Sequence, residues 1–364
     1  MNAAIFILRI NIAEAFALFS RDAFHLYVPG DFIFRSAFSF LTSRAIYAIL
    51  VHKLTAEGSY AMAFLDWLKI IFLGIVEGIT EWLPISSTGH LVLVDALWKT
   101  ENHPVLTETF MTNLFDVVIQ LGAIVAVLVL FWHKLWPFHT KATRKQRSWF
   151  REASDNRFVC SVQRFCDNYC YMDKIVMWLK IAVSCIPAAV AGVLLDDWMT
   201  AHLYNPYVVA AMLILYGVAF ILVEKHNEGR TPRIRKMSDF RWSDALLIGL
   251  FQVLSLIPGT SRSGATILGG ILIGASRGLA AEYTFFLAVP VMFGASLLKI
   301  IKFGTFTGIQ GIVLLLGMLV AFAVSLIAIK FLMNYIKKHS FAAFGYYRIV
   351  LGVLVLAYFL LVAR

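Results

Sequence analysis

A chain of 364 residues that is 60% hydrophobic and only 15% charged, with a mean hydropathy of +0.77, is too apolar for a soluble globular protein, in which about 25% of residues are charged. Its apolar runs are continuous rather than alternating, which excludes a transmembrane β-barrel. The net charge of +10 sits mainly in loops, where it reads as a topology signal and not as a nucleic-acid surface.

Residues 1–61 mix apolar pieces ("AAIFIL", "AIYAILV") with Arg9, Arg21, Arg35, Arg44 and Lys53. They form neither a clean span nor a signal peptide with a clear cleavage site. Met62 follows and opens "MAFLDWLKIIFLG", which reads as a natural start. The expectation is an atypical N-terminal extension or start-site artefact over 1–61, and a membrane domain over 62–364.

Two apolar stretches are interrupted. The first, 64–98, is broken by Pro84 and the polar run after it; the second, 243–275, is broken by Pro258-Gly259 and "TSRSG". Mid-stretch proline and glycine stop a helix, so each predicts a helix-loop-helix that enters the membrane and returns. Irregular backbone at that depth is tolerated only inside protein or beside a wet cavity. Uninterrupted spans are predicted at about 114–133, 177–196, 206–224, 282–301, 310–333 and 344–362, near the 20 or so residues that cross a bilayer. The loop before the second of these spans carries Cys160, Cys166 and Cys170, and Cys185 lies in the span. No CxxC pair is present, so reduced thiols are expected rather than a zinc site.

The two broken stretches resemble each other. Gly74, Glu77, Ser86, Thr88 and Gly89 align with Gly249, Gln252, Ser261, Ser263 and Gly264 at one offset of 175 (249 − 74 and 264 − 89). Basic loops at 134–176 and 225–242, with Lys337 and Lys338, fall on one side when six spans are drawn, and that side is cytoplasmic. The loop 198–205 has no Lys or Arg. Lys299 and Lys302 do not fit the scheme, but they lie at a helix end and can snorkel. The first hairpin then enters from outside and the second from the cytoplasm. The fold class expected is all-α integral membrane, an inverted repeat with halves at about 62–225 and 240–364. Each half is a re-entrant helix-loop-helix plus three transmembrane helices. Inverted repeats bring their irregular loops together near the midplane, so "ISSTGH" and "TSRSGA" are expected to share one polar pocket.

Glu77 and Glu81, four apart, share a helix face. Two carboxylates at that depth fit an acid/base pair or a hard-metal site; the plain alternative is a helix end reaching interfacial water. Ser86, Ser87, Thr88 and Gly89 form a hydroxyl-rich turn suited to phosphate oxygens, or a set of helix caps. The planar fork of Arg262 suits a phosphate, or serves as a structural partner for Glu77 or Glu81. His90 fits a general acid, a general base or a phosphate acceptor; otherwise it is a satisfied hydrogen-bonder. Asp95 and Glu282 are weaker candidates, and Gly270 and Gly274 read as a close helix contact. No P-loop is present, which argues against nucleotide hydrolysis. The set points to phosphoryl chemistry on a lipid.

"EGITEWLPISSTGH" and "PGTSRSGAT" resemble the two signature motifs of undecaprenyl-diphosphatase, the bacitracin-resistance family of integral membrane phosphatases. The likeness runs from about Met62 to Arg364, with support from "FDVVIQLGAI", "IPAAVAGVLLDDW", "EYTFFLAVPVMFGAS" and "YYRIVLGV". It implies removal of the terminal phosphate of undecaprenyl diphosphate at the outer leaflet of the bacterial plasma membrane. That step recycles the lipid carrier of wall synthesis. It also implies a divalent cation, Mg²⁺ or Ca²⁺, near Glu77 and Glu81. Glu77, Glu81, Ser87, His90 and Arg262 fill the catalytic positions. Ser86, Thr88, Gly89, Ser261, Ser263, Gly264 and Thr266 would surround the diphosphate. Ser87, a water molecule and His90 all stay open as the nucleophile. Expected partners are the lipid substrate and membrane lipids, with a homodimer left open and nucleic acid excluded. Residues 1–61 and the long loop around 140–174 depart from the family pattern without touching a motif. The rival class is a lipid-phosphate or ion-coupled transporter, which inverted repeats also serve; the plain reading is a scaffold whose polar loops are only structural.

Overall fold

The computed structural model describes residues 62, 64–98, 105–139 and 157–362. The expected N-terminal extension and part of the long loop lie outside the described residues. Eleven helices organise the rest: α1 (Phe64–Thr80), α2 (Ser87–Leu97), α3 (Glu108–Leu135), α4 (Arg157–Tyr169), α5 (Met172–Leu203), α6 (Pro206–His226), α7 (Trp242–Leu254), α8 (Arg262–Leu272), α9 (Arg277–Phe303), α10 (Gly308–Tyr335) and α11 (Ala342–Leu361). Among the described residues six helices are long and apolar enough to cross a membrane: α3, α5, α6, α9, α10 and α11. The protein is therefore an all-α, multi-pass membrane protein.

Local chemistry sets the helix ends. Asn205 caps α6, its Oδ1 accepting from Val208 N at 2.9 Å, and Pro206 takes the first helical position, where no N–H is needed. Thr307 and Gln310 form a reciprocal capping box at the start of α10. All the spans but α6 begin earlier than their hydropathy indicates. α5 starts at Met172 rather than near 177, because Asp173, Lys174 and Lys180 dilute its first turns. Lys180 is nonetheless buried and donates to the Phe240 carbonyl at 2.5 Å. α3 starts at Glu108 and passes through a π-helical turn at Met111–Phe115 before Asp116. The helix α4 falls within the basic loop between the first two spans.

Both interrupted stretches fold as helix-turn-helix hairpins, α1–α2 and α7–α8. Their turns lie inside the protein: Glu81 through Ser86 are all buried, as are Thr260 and Ser263. α1 packs on α10, and α7 on α5; α3 packs on α9 and α10; α5 packs on α9; α6 pairs with α11. Missing side chains permit the closest approaches. A Cβ on Gly217 of α6 would lie 2.7 Å from the Gly345 carbonyl, and one on Gly345 of α11 would lie 2.7 Å from the Gly217 carbonyl. The same holds for α1 on α10, where a Cβ on Gly74 would meet Val320 Cβ at 2.9 Å. Of the expected GxxxG pair, Gly270 makes a close contact with Ala280, whereas Gly274 sits at φ 93° in the turn that ends α8.

The ends of the bundle are tied by polar contacts. At one end Glu224 of α6 pairs with Arg277 of α9 and accepts from Phe341 N at 2.9 Å, and Lys134 of α3 pairs with Glu282 of α9 at 2.6 Å. Arg233, in the loop beside the α7–α8 hairpin, pairs with Asp244 of α7 at 2.7 Å. Elsewhere Lys69 of α1 lies 3.8 Å from Asp95 of α2, and Gln310 of α10 donates to the Val105 carbonyl at 3.1 Å.

Candidate functional site

The two hairpin turns meet. Glu81 opens the first turn, and its backbone N–H still bonds to the Glu77 carbonyl at 3.0 Å, so the two glutamates keep helical register. Arg262, the first residue of α8, reaches across and donates through Nη2 to Glu81 Oε1 at 2.7 Å. Both side chains are about nine-tenths buried. Breaking such a pair by removing one partner costs about 3–5 kcal/mol, because the other charge is left behind uncompensated. Arg262 also donates to the Thr284 carbonyl of α9 at 3.1 Å, and Ser263 Oγ to the Leu83 carbonyl of the first turn at 3.4 Å.

Ser86 and Ser261 hold φ values of 73° and 71°, which serine rarely adopts. Such a conformation costs of order 1–3 kcal/mol and persists where the surroundings over-determine it. Each caps the following helix: Ser86 Oγ accepts from Gly89 N at 3.4 Å, and Ser261 Oγ from Gly264 N at 3.2 Å. The cap reading of Ser86 is thus realised, and Ser261 caps α8 in the same way. Ser87 and Thr88 are half-buried, and their hydroxyls make no hydrogen bond within the described residues. Thr266 is buried and already engaged, donating to the Arg262 carbonyl at 2.8 Å and accepting from Thr284 at 2.9 Å.

His90 sits in the first turn of α2. Its Nδ1 lies 2.7 Å from the Ser86 carbonyl, which can only accept, so Nδ1 carries the hydrogen. In the neutral ring Nε2 is then the bare nitrogen, and the Tyr347 hydroxyl of α11 donates to it at 2.7 Å. Next to Tyr347, Arg348 is fully buried and fastens both turns together. It donates to the carbonyls of Pro84, Gly259 and Thr260 at 3.2, 2.8 and 2.8 Å.

Around these turns lie buried polar atoms without hydrogen bonds: both oxygens of Glu77, both amide atoms of Gln252, Thr260 Oγ1 and Arg262 Nε. Native interiors contain few such atoms, and here they gather where the hairpins meet. Asp116 and the Gln120 amide of α3, with Glu81, are the polar neighbours of Glu77. No group of three or more His, Cys, Asp or Glu is arranged to hold a metal among the described residues. Glu77 and Glu81 still fit a hard cation of the kind that takes one or two carboxylates and completes its shell with substrate phosphates and water. The bare oxygens of Glu77 are the observation that fits. Asp95 and Glu282 are instead engaged with Lys69 and Lys134, and the described cysteines are free thiols.

Sequence reasoning passed over Tyr347, Arg348, Thr284 and Asp116. Arg348 had a usable signal, since an arginine inside an otherwise apolar 20-residue helix is a functional hypothesis by default. Thr284 acts through its carbonyl and a shared hydroxyl, and nothing local marks it.

Six long apolar helices around two helical hairpins, whose buried turns bring an arginine, two carboxylates and a run of hydroxyls together, define a multi-pass membrane protein. The chain belongs to the family described as bacitracin resistance protein BacA, whose model matches residues 70–354. It is 54% identical over 297 residues to an undecaprenyl-diphosphatase of Enterococcus faecalis, covering 81% of this chain and 98% of that one. A protein of the same name from Lachnoclostridium phytofermentans is 52% identical over 301 residues, covering 82% and 99%. One from Desulfitobacterium hafniense is 53% identical over 300 residues, covering 82% and 98%.

Proposed function

We infer that this protein hydrolyses undecaprenyl diphosphate to undecaprenyl phosphate and inorganic phosphate, recycling the lipid carrier of cell-wall synthesis and conferring bacitracin resistance. The family and the relatives' shared name support the activity. The observation that supports the site is the Arg262–Glu81 bond, which joins the turns of the two hairpins inside the protein. The enzyme works in the bacterial plasma membrane and draws its lipid from the surrounding bilayer.

The two halves are read as inverted copies. The hairpins share an offset of 175 at Ser86 and Ser261 (261 − 86), the same unusual φ and the same cap on a glycine three residues on. Packing is mirrored: α1 on α10 answers α7 on α5, α3 on α10 answers α5 on α9, and α6 and α11 contact each other reciprocally.

Chemistry follows from the residues. In the free protein Arg262 is neutralised by Glu81. A diphosphate competes for the guanidinium, and the released Glu81 carboxylate becomes a base. Ser87, whose hydroxyl is not committed to a protein partner, attacks the terminal phosphorus. Its proton passes to Glu81, and undecaprenyl phosphate leaves. The water that then cleaves the phosphoserine takes the place of the Tyr347 hydroxyl at His90 Nε2, which acts as base, its ring held by the Ser86 carbonyl. A divalent cation at Glu77 and Glu81, when bound, offsets phosphate charge. Ser263, Gly264, Ser261, Ser86, Thr88, Gly89 and Thr266 shape the cradle.

The test is phosphate release by purified protein in detergent, where no gradient exists. The expected result is release from undecaprenyl diphosphate by wild type and its loss in Ser87→Ala, with a phosphorylated serine trapped in the wild type by rapid acid quench. No release by folded wild type contradicts the enzyme and favours a transporter. Release by Ser87→Ala at the wild-type rate contradicts the serine and leaves the attack to water or to His90.

A further inference from the structure

Arg348 carries a charge that the protein does not answer. It is fully buried, and no carboxylate among the described residues forms an ion pair with it. Its partners are three carbonyls and the Tyr216 ring, whose centroid lies 5.6 Å from the guanidinium carbon. Its Nε is buried without a hydrogen bond. Carbonyl dipoles and a ring face offset part of the cost of burying a cation, but they bring no negative charge. Buried charges are ordinarily paired, and among the described residues the arginine–carboxylate pair at these turns is Arg262 with Glu81.

Placement tells what would complete the pair. The three carbonyls come from Pro84, just before the Ser86 cap, and from Gly259 and Thr260, just before the Ser261 cap. A Cβ on Gly264 would lie 2.9 Å from Arg348 Nη1, so the guanidinium sits against the first turn of α8. That turn and the first turn of α2 present helix N-termini, the positive ends of two dipoles. Arg348 therefore adds a fixed charge behind both turns while three of its N–H donors are committed to turn carbonyls.

We propose that Arg348 is the standing counter-charge of the bound diphosphate, a specificity-determining residue that acts on the anion through the field across the two turns and not by contact. The proposal rests on the diphosphate reading of the pocket. Its effect grows with the charge of the anion, so it holds a diphosphate more strongly than a monophosphate and favours release of the product. The competing account is a staple, in which the guanidinium only fixes the turns.

The two accounts separate at Lys and Met. Lys keeps the charge but cannot hold three carbonyls with one planar fork; Met keeps apolar volume and loses the charge. Full-length protein in detergent is titrated with methylenediphosphonate and methylphosphonate, which resist hydrolysis, and KM and kcat are measured on undecaprenyl diphosphate. Loss of the charge is expected to weaken methylenediphosphonate binding about tenfold or more in Arg348→Met and methylphosphonate binding by no more than about threefold. Arg348→Lys should bind both within about threefold of wild type, and the Met loss should fall on KM more than on kcat. Equal losses for the two ligands, or an Arg348→Lys protein that misfolds or binds no better than the Met variant, would overturn the proposal in favour of the staple. A Met variant that does not fold leaves the Lys comparison decisive. Wild type that binds neither ligand and releases no phosphate contradicts the diphosphate reading itself.

Discussion

Glu77 is held against its own stability. Both carboxylate oxygens are buried without a well-formed hydrogen bond, beside Glu81 and Asp116, with the Gln120 amide and the Arg262 charge offsetting part of the cost. An unsatisfied buried polar group costs about 1–3 kcal/mol, and more if charged. Glu77→Gln is therefore expected to raise the unfolding temperature in detergent while lowering kcat by about a hundredfold or more, the trade expected of a functional group. A variant that is both less stable and fully active would show the carboxylate to be structural. At this scale the sequence was informative about residue type and less so about role. The carboxylates, hydroxyls, His90 and Arg262 stand out because polar groups are rare in so apolar a chain. Which serine caps and which is uncommitted depends on backbone angles at Ser86 and Ser261 that no spacing reveals. Arg348 and Tyr347 escaped notice because "YYRIVLGV" reads as the start of a span, and only packing shows that one face of it turns inward.

Among the elements, the α6–α11 contact is the tightest test of packing. The reciprocal Gly217 and Gly345 contacts at 2.7 Å leave no room for a Cβ against a carbonyl, which cannot step aside as a side chain can. Gly345→Val should destabilise by about 1–3 kcal/mol through overpacking. Because α11 also carries Tyr347 and Arg348, turnover should fall with it. Thermal unfolding and turnover read together check this; a stable, active valine variant would contradict the packing. The six long helices and both hairpins were legible from apolar length and from Pro84 and Pro258. The early start of α5 was not, since Lys180 looks like a loop residue until Phe240 is seen to accept its hydrogen bond. The helix α4 was missed because its polar face lowers its mean hydropathy below that of any span.

For the whole molecule, the Glu81–Arg262 junction brings together elements far apart in the chain, at a separation of 181 residues. The matching offset of the two motifs is what makes that meeting legible from the amino-acid sequence alone. Chelation of divalent cations is expected to abolish phosphate release and leave the unfolding temperature within about 2 °C of its value with metal, because among the described residues no group of three or more His, Cys, Asp or Glu is arranged to hold a structural ion. A large fall in that temperature would mean that a metal is structural.

The central claim is that one pocket is built from two hairpins, and a double-mutant cycle on kcat/KM for undecaprenyl diphosphate tests it most directly. Glu81→Gln and Arg262→Ala should each lower kcat/KM about a hundredfold or more, and the double variant should fall no more than about tenfold below the weaker single, because residues that act as a unit are not additive. Losses that simply multiply, or single variants near wild-type turnover, would place the two residues in separate roles and contradict the shared pocket.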